Sequence, residues 1–178
     1  MYQAVFPVLL ELSHIDHPGE ALKSVKEQLR SVPQRGIGYG ILRYLNSDSA
    51  MRSQLLVLPQ AEVSFNYLGQ FDQVLSESVQ WRFAQESIGA SQNPLGSRSH
   101  LLDITGIVFE GKLGLNLIYS KNVHKQATIE RLADSFVKAL TSVIHHCQLP
   151  EAVGYTPSDF PESELNQQEL DELIAKID

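Results

Sequence analysis

The hydrophobic pattern changes period several times along this chain, and each change marks an element. Residues 3–12 carry a continuous apolar run, Ala4-Val5-Phe6-Pro7-Val8-Leu9-Leu10, which predicts a buried strand. A helix should follow. Asp16 stands where a cap is needed, Pro18 suits a first turn, and Leu22, Val25, Leu29 and Val32 recur at helical spacing until Pro33 stops the pattern. A glycine-rich stretch, 34–40, leads to a short predicted helix over Ile41–Leu45. Strands are predicted at 54–58, ended by Pro59, and at 63–68, ended by Gly69. In the second, Val63, Phe65 and Tyr67 alternate with Ser64, Asn66 and Leu68.

Val79, Trp81 and Phe83 alternate in the same way and predict a further strand, and 87–99 reads as a loop of small residues. A hairpin comes next. Residues 101–109 and Lys112–Tyr119 flank Glu110-Gly111, a two-residue turn with glycine where positive φ is required, and Leu113, Leu115, Leu117 and Tyr119 share one face. The longest helix is predicted over 127–146. Its stripe of Ile129, Leu132, Ala133, Phe136, Val137, Leu140, Val143 and Ile144 is wide enough to lie on a sheet. Strands dominate and two good helices can cover one face, so the fold class is α/β: a two-layer sandwich, with a mixed sheet and helices on one side. Residues 1–150 would form that domain. Residues 151–178 would form an extended linker and a short helix, with Asn166 and Glu169 as its capping box and Leu170, Leu173, Ile174 and Ile177 inward; a frayed tail is the other reading.

Composition narrows the function. The 178 residues are 43% hydrophobic, enough for one domain with a real core. Net charge is −7, with Glu162, Glu164, Glu169, Asp171 and Glu172 crowded near the end. No basic stripe exists to neutralise a run of phosphates, which argues against nucleic acid as partner. Cys147 is the only cysteine, so neither a disulfide framework nor a thiolate zinc site can form within the chain; this fits a reducing, cytoplasmic setting. The longest apolar runs are too short to cross a bilayer, and residues 1–12 lack the marks of a signal peptide. An opening inside a strand-like run suggests a piece cut from something larger.

Elementary chemistry assigns little. His145 and His146 are adjacent, point about 100° apart on a helix, and cannot chelate together; in a last turn they complement the helix dipole. His14, His17, His100 and His124 read as surface residues, and Cys147 as an incidental thiol. The run Gly36-Ile37-Gly38-Tyr39-Gly40 follows a helix and a proline rather than a strand, so it is not a dinucleotide fingerprint. Its glycines either permit close approach or unusual φ, or they line a ligand. Tyr67 is either a packed tyrosine or a side chain overlooking a cleft.

Several motifs, in order, go further. Val32-Pro33-Gln34-Arg35-Gly36-Ile37-Gly38-Tyr39-Gly40 and Val63-Ser64-Phe65-Asn66-Tyr67-Leu68-Gly69-Gln70 resemble two signature segments of the epimerisation domains of non-ribosomal peptide synthetases. Val5-Phe6-Pro7-Val8-Leu9-Leu10 is similar to a segment that reads toward Tyr-Pro-Val, here with Phe6 for the tyrosine. Arg98-Ser99-His100-Leu101-Leu102-Asp103-Ile104 and residues 155–161 resemble the later segments. The resemblance implies the C-terminal half of a chloramphenicol-acetyltransferase-like fold, whose substrate tunnel runs between two subdomains. It implies inversion of an α-carbon in an aminoacyl or peptidyl thioester. The thioester would be delivered on the phosphopantetheine arm of a peptidyl carrier protein, with no cofactor bound directly. Partners would be the N-terminal subdomain, the carrier protein and neighbouring synthetase domains.

The family's His-His-x-x-x-Asp motif is absent: His145-His146 continue as Cys147-Gln148-Leu149-Pro150-Glu151. A family glutamate motif is missing too, so this chain would supply one wall of the site and be inactive alone. Tyr67 would donate a proton or a hydrogen bond to the enolate, since a phenol is protonated at neutral pH. Asn66, pointing the other way along the strand, would orient. Gly36, Tyr39 and Gly40 would shape the tunnel wall or hold the Tyr67 strand. Half of an amide-forming condensation domain, a non-catalytic recruiting relative and a free-standing binding module are the alternatives.

Overall fold

The computed structural model describes residues 5–13, 15–70, 89, 93, 96–149, 152, 154–163 and 165–176. It is mixed α/β and divides into two compact units: residues 1–60 with 136–178, and residues 61–135.

In the first unit, helix α1 spans Pro18–Arg30. Its cap is His17, one residue beyond the expected Asp16: the imidazole Nδ1 accepts from Gly19 N at 3.2 Å. A histidine nitrogen serves the orphan N–H as a carboxylate would. Then the chain turns sharply. Gln34, Arg35 and Gly36 are successive left-handed residues with φ of 48°, 54° and 76°, and they feed a short turn, α2 (Ile37–Gly40), continued as a wider turn over Ile41–Leu45.

Two strand expectations fail in this unit. Residues 5–12 pair with no strand among the described residues and are mostly exposed. Gln28 of α1 takes both backbone groups of Glu11, accepting from its N–H and donating to its carbonyl at 2.8 Å each. A continuous apolar run carries no period, so it could not separate a buried strand from an irregular segment. Residues 54–57 belong to helix α3 (Ser49–Val57), which ends at an extended Leu58 and is capped at its start by Asp48, whose carboxylate accepts from Ala50 N and Met51 N. That cap was the overlooked signal.

The second unit holds a three-stranded sheet in the order β1–β2–β3. β1 (Val63–Gln70) lies parallel to β2 (Leu102–Phe109), and β2 pairs antiparallel with β3 (Lys112–Tyr119). The mixed sheet agrees with the expected α/β class. The hairpin also stands as expected, with Glu110 and Gly111 both at positive φ, 50° and 68°. Gly69 does not end β1. At φ 84° it makes an irregularity between Tyr67 and Gln70, and pairing resumes at Gln70. The expected strand at Val79, Trp81 and Phe83 lies outside the described residues.

Helix α4 (Gln126–Cys147) runs through both units. Its inward stripe is narrower than the sequence implies: Ile129 is buried, Ala133, Phe136, Leu140 and Val143 are half-buried, and Leu132, Val137 and Ile144 are exposed. In the first unit, His146 in its last turn meets His17 edge-on, with ring centroids 4.9 Å apart.

The tail is fastened. Helix α5 (Gln167–Ile174) has the expected capping box, Asn166 Oδ1 accepting from Glu169 N at 3.0 Å and Glu169 Oε2 accepting from Asn166 N at 2.9 Å. Leu170 is buried and Ile174 half-buried, but Leu173 faces out, and Ile177 lies outside the described residues. Upstream, fully buried Thr156 opens a short turn over Pro157–Asp159. Asp159 accepts from Lys26 and Arg30 of α1, and the Ser158 hydroxyl donates to Glu27 at 2.5 Å.

Candidate functional site

The sequence motifs fall into both units: Gly36, Tyr39 and Gly40 in the first, Asn66 and Tyr67 in the second.

Tyr67 is set by strand register. It stands opposite Gly106 of β2, which in turn faces Leu115 of β3. Residues directly opposite share a face, so Val63, Phe65, Tyr67, Leu102, Ile104, Gly106, Leu115 and Leu117 make one apolar side of the sheet. Gly106 leaves the ring room to settle on the sheet. A Cβ on it would sit 3.3 Å from Tyr67 Cδ2 and 3.5 Å from Leu115 Cδ2, so the tyrosine ring lies over the glycine. Tyr67 itself is 51% exposed, as are Val63 at 51% and Phe65 at 58%.

Asn66 is on the opposite side with Ser64, Asp103 and Thr105, as the alternation implied. At the start of that polar side, Arg98 donates to Asp103 and to the Ile118 carbonyl (2.9 Å), while His100 Nδ1 lies 3.5 Å from Asp103 Oδ1. Arg98 and Asp103 lie in one of the motif segments and pair locally, five residues apart; it is the β2–β3 register, setting Ile118 opposite Asp103, that adds the Ile118 carbonyl.

In the first unit the three glycines behave differently. Gly36 has φ 76°, and the Phe6 ring occupies the place its Cβ would take. The close-approach and unusual-φ reading holds for Gly36 on both counts, and it joins two of the sequence motifs. Gly38 and Gly40 have open space where a Cβ would stand. Tyr39 between them accepts a 2.5 Å hydrogen bond from Arg43 Nη1. The Arg43 guanidinium lies 5.7 Å from the Tyr39 ring centroid and 5.4 Å from that of Tyr44. The bond to Tyr39 holds the Arg43 proton above the ordinary guanidinium range. Arg43 was the residue the sequence reading missed; its place four residues after Tyr39 was the available signal.

The sequence profile of the condensation domain matches residues 1–166. The chain belongs to the condensation domain family. Its relatives include a linear gramicidin synthase protein of Brevibacillus parabrevis, 43% identical over 98% of this chain and 2% of that protein. Surfactin synthase subunit 1 of Bacillus subtilis (strain 168) is 35% identical over 97% of this chain and 5% of its own length. Among solved structures, the epimerization domain from the third module of tyrocidine synthetase B superposes with a TM-score of 0.70 at 35% identity, over 81% of this chain and 31% of that one. The chain thus spans a small part of the peptide synthetase proteins it matches. Among the described residues no helix is long and apolar enough to cross a membrane, and no group of three or more His, Cys, Asp or Glu is placed to hold a metal ion.

Proposed function

We propose that this chain is the C-terminal lobe of a peptide synthetase epimerisation domain, which inverts the α-carbon of a carrier-bound aminoacyl or peptidyl thioester. The observation that carries the reading is the likeness in fold and sequence to a solved epimerization domain, with the two motifs around Tyr39 and Tyr67 in order. Exposed apolar side chains support a lobe that needs a partner: Ile37, Ile41 and Leu45 in one unit, Val63 and Phe65 in the other. Inversion requires one group to remove the α-proton and another to return one to the opposite face, while the enolate oxygen is stabilised. Tyr67 is the donor this lobe contributes, from the exposed end of an apolar row on β1. Asn66, on the reverse of the same strand, orients. The second proton-handling group would come from the N-terminal lobe, and the carrier's phosphopantetheine arm would deliver the thioester.

The family itself favours a second reading, amide formation by a condensation domain. Two assays separate them in the full-length parent. In D₂O, an epimerisation domain washes deuterium into the α-position of a carrier-bound aminoacyl thioester; a condensation domain joins two carrier-bound substrates and releases one carrier thiol. Tyr67→Phe in that parent should slow exchange at least about 100-fold. Near-normal exchange returns Tyr67 to a packing role, and exchange by this chain alone would falsify the single-lobe assignment.

A further inference from the structure

Among the described residues, nothing requires Gly38 or Gly40 to be glycine. Gly40 has an ordinary helical backbone, φ −62° and ψ −38°, neither residue has positive φ, and a Cβ on either would meet nothing within 4 Å. Glycine weakens a helical turn relative to alanine. Here it leaves an open strip of backbone on both sides of Tyr39.

Arg43 supplies the second observation. Nη1 donates to the Tyr39 hydroxyl, Nη2 reaches Gln60 Oε1 at 3.4 Å, and two tyrosine rings flank the guanidinium. Nε is sealed from solvent without an acceptor. All of these partners are neutral, and Arg43 enters no ion pair among the described residues. Its neutral partners favour the guanidinium but leave its charge unpaired, and an oxyanion would supply the missing counter-charge. The planar fork of arginine fits a phosphate in particular. Because the Tyr39 oxygen accepts from Arg43, its own hydrogen can be donated to the same anion.

We propose that Arg43 and the Tyr39 hydroxyl form a phosphate subsite, with the bare backbone at Gly38 and Gly40 admitting the chain that carries the phosphate. This rests on the carrier-bound substrate reading, under which the phosphate is that of the phosphopantetheine arm; free phosphate offers the same chemistry. The test is an NMR titration of the isotope-labelled chain at constant ionic strength, following Arg43 Nε–Hε and the amides of residues 38–44. The probes are 4′-phosphopantetheine, pantetheine, inorganic phosphate and acetate, each alone. Saturable shifts are expected with phosphopantetheine and, more weakly, with inorganic phosphate. Arg43→Gln should weaken both at least about tenfold, with the remaining amide spectrum unchanged, and Arg43→Lys should retain part of the binding. Equal shifts with pantetheine or acetate, or unchanged binding in Arg43→Gln, would overturn the subsite. Tighter binding of inorganic phosphate than of phosphopantetheine would overturn the arm as its source. The titration involves no turnover, so its failure leaves the epimerisation reading standing, and absent α-proton exchange in the parent leaves the subsite standing.

Discussion

Replacing Gly36 by alanine tests the join between the first two motifs. Two costs add. At φ 76° an alanine sits in the left-handed region, at about 1–2 kcal/mol. Its Cβ would also stand inside the Phe6 ring, whose near edge is Cδ1, Cγ and Cε1. A ring cannot swing aside like the end of a long side chain, so overpacking adds about 1–3 kcal/mol. The sum is about 2–5 kcal/mol. For a chain of this size each kcal/mol lowers the melting temperature by roughly 2–4 °C, so Gly36→Ala should melt about 4–20 °C lower, with a matching loss in urea. Phe6→Ala in the same background separates the two costs. The double-mutant cycle should return a coupling of about 1–3 kcal/mol, the overpacking share, and leave the backbone share in place. Gly36→Ala within about 0.5 kcal/mol of the parent, or a cycle with no coupling, would refute the contact.

Gly38→Ala and Gly40→Ala are expected to do the reverse. With helical backbone and open space, each should raise stability by up to about 1 kcal/mol in urea unfolding, while weakening phosphopantetheine binding in the titration above. The fastening of residues 156–159 to α1 should be acid-sensitive. The hydrogen bond from Lys26, then that from Thr156 N, holds Asp159 well below the ordinary carboxylate range; for Glu27, burial pushes upward, but the bonds from Ser158 and Thr156 outweigh it and the net shift is downward. Groups with depressed folded pKa values contribute stability that is complete above their unfolded pKa and is lost as pH falls through the folded one. Amide exchange at residues 156–160 should therefore be flat from pH 7 to about 5, after correction for its intrinsic rate, and should rise below about pH 4. Protection that declines between pH 7 and 5 would assign the fastening to other groups.

The elements the sequence disclosed were those whose signals are local. Alternation placed β1 and the hairpin, and Glu110-Gly111 specified its turn through two positive φ values. The Asn166–Glu169 capping box appeared where its spacing required. The two failed strands have one physical origin. Residues 5–12 and 54–58 are apolar runs without a period, so hydrophobicity alone could not tell strand from helix or from an irregular segment. At the site, the opposed orientations of Asn66 and Tyr67 followed from the pleat, but three features depended on contacts remote in sequence or on backbone geometry. The ring of Tyr67 lies over Gly106, 39 residues on; Phe6 covers Gly36; and the left-handed run Gln34–Arg35 contains two residues with little intrinsic preference for it.

The two sides of β1 decide how the Tyr67 test should be read. Val63, Phe65 and Tyr67 form an exposed apolar row, whereas Ser64 and Asn66 behind them are half-buried. A phenol ending an apolar row would, once that row is covered by a second lobe, donate in a water-poor setting where hydrogen bonds to a developing oxyanion count for most. The same placement gives the ring a packing duty over Gly106, so truncation to alanine would mix chemistry with structure. Phenylalanine keeps the ring over the glycine and removes only the hydroxyl. A Tyr67→Phe parent that melts normally yet fails to exchange the α-proton therefore isolates the phenol, and Gly106→Ala, whose Cβ would move the ring by a few tenths of an ångström and retain the hydroxyl, should lower exchange with little change in melting temperature.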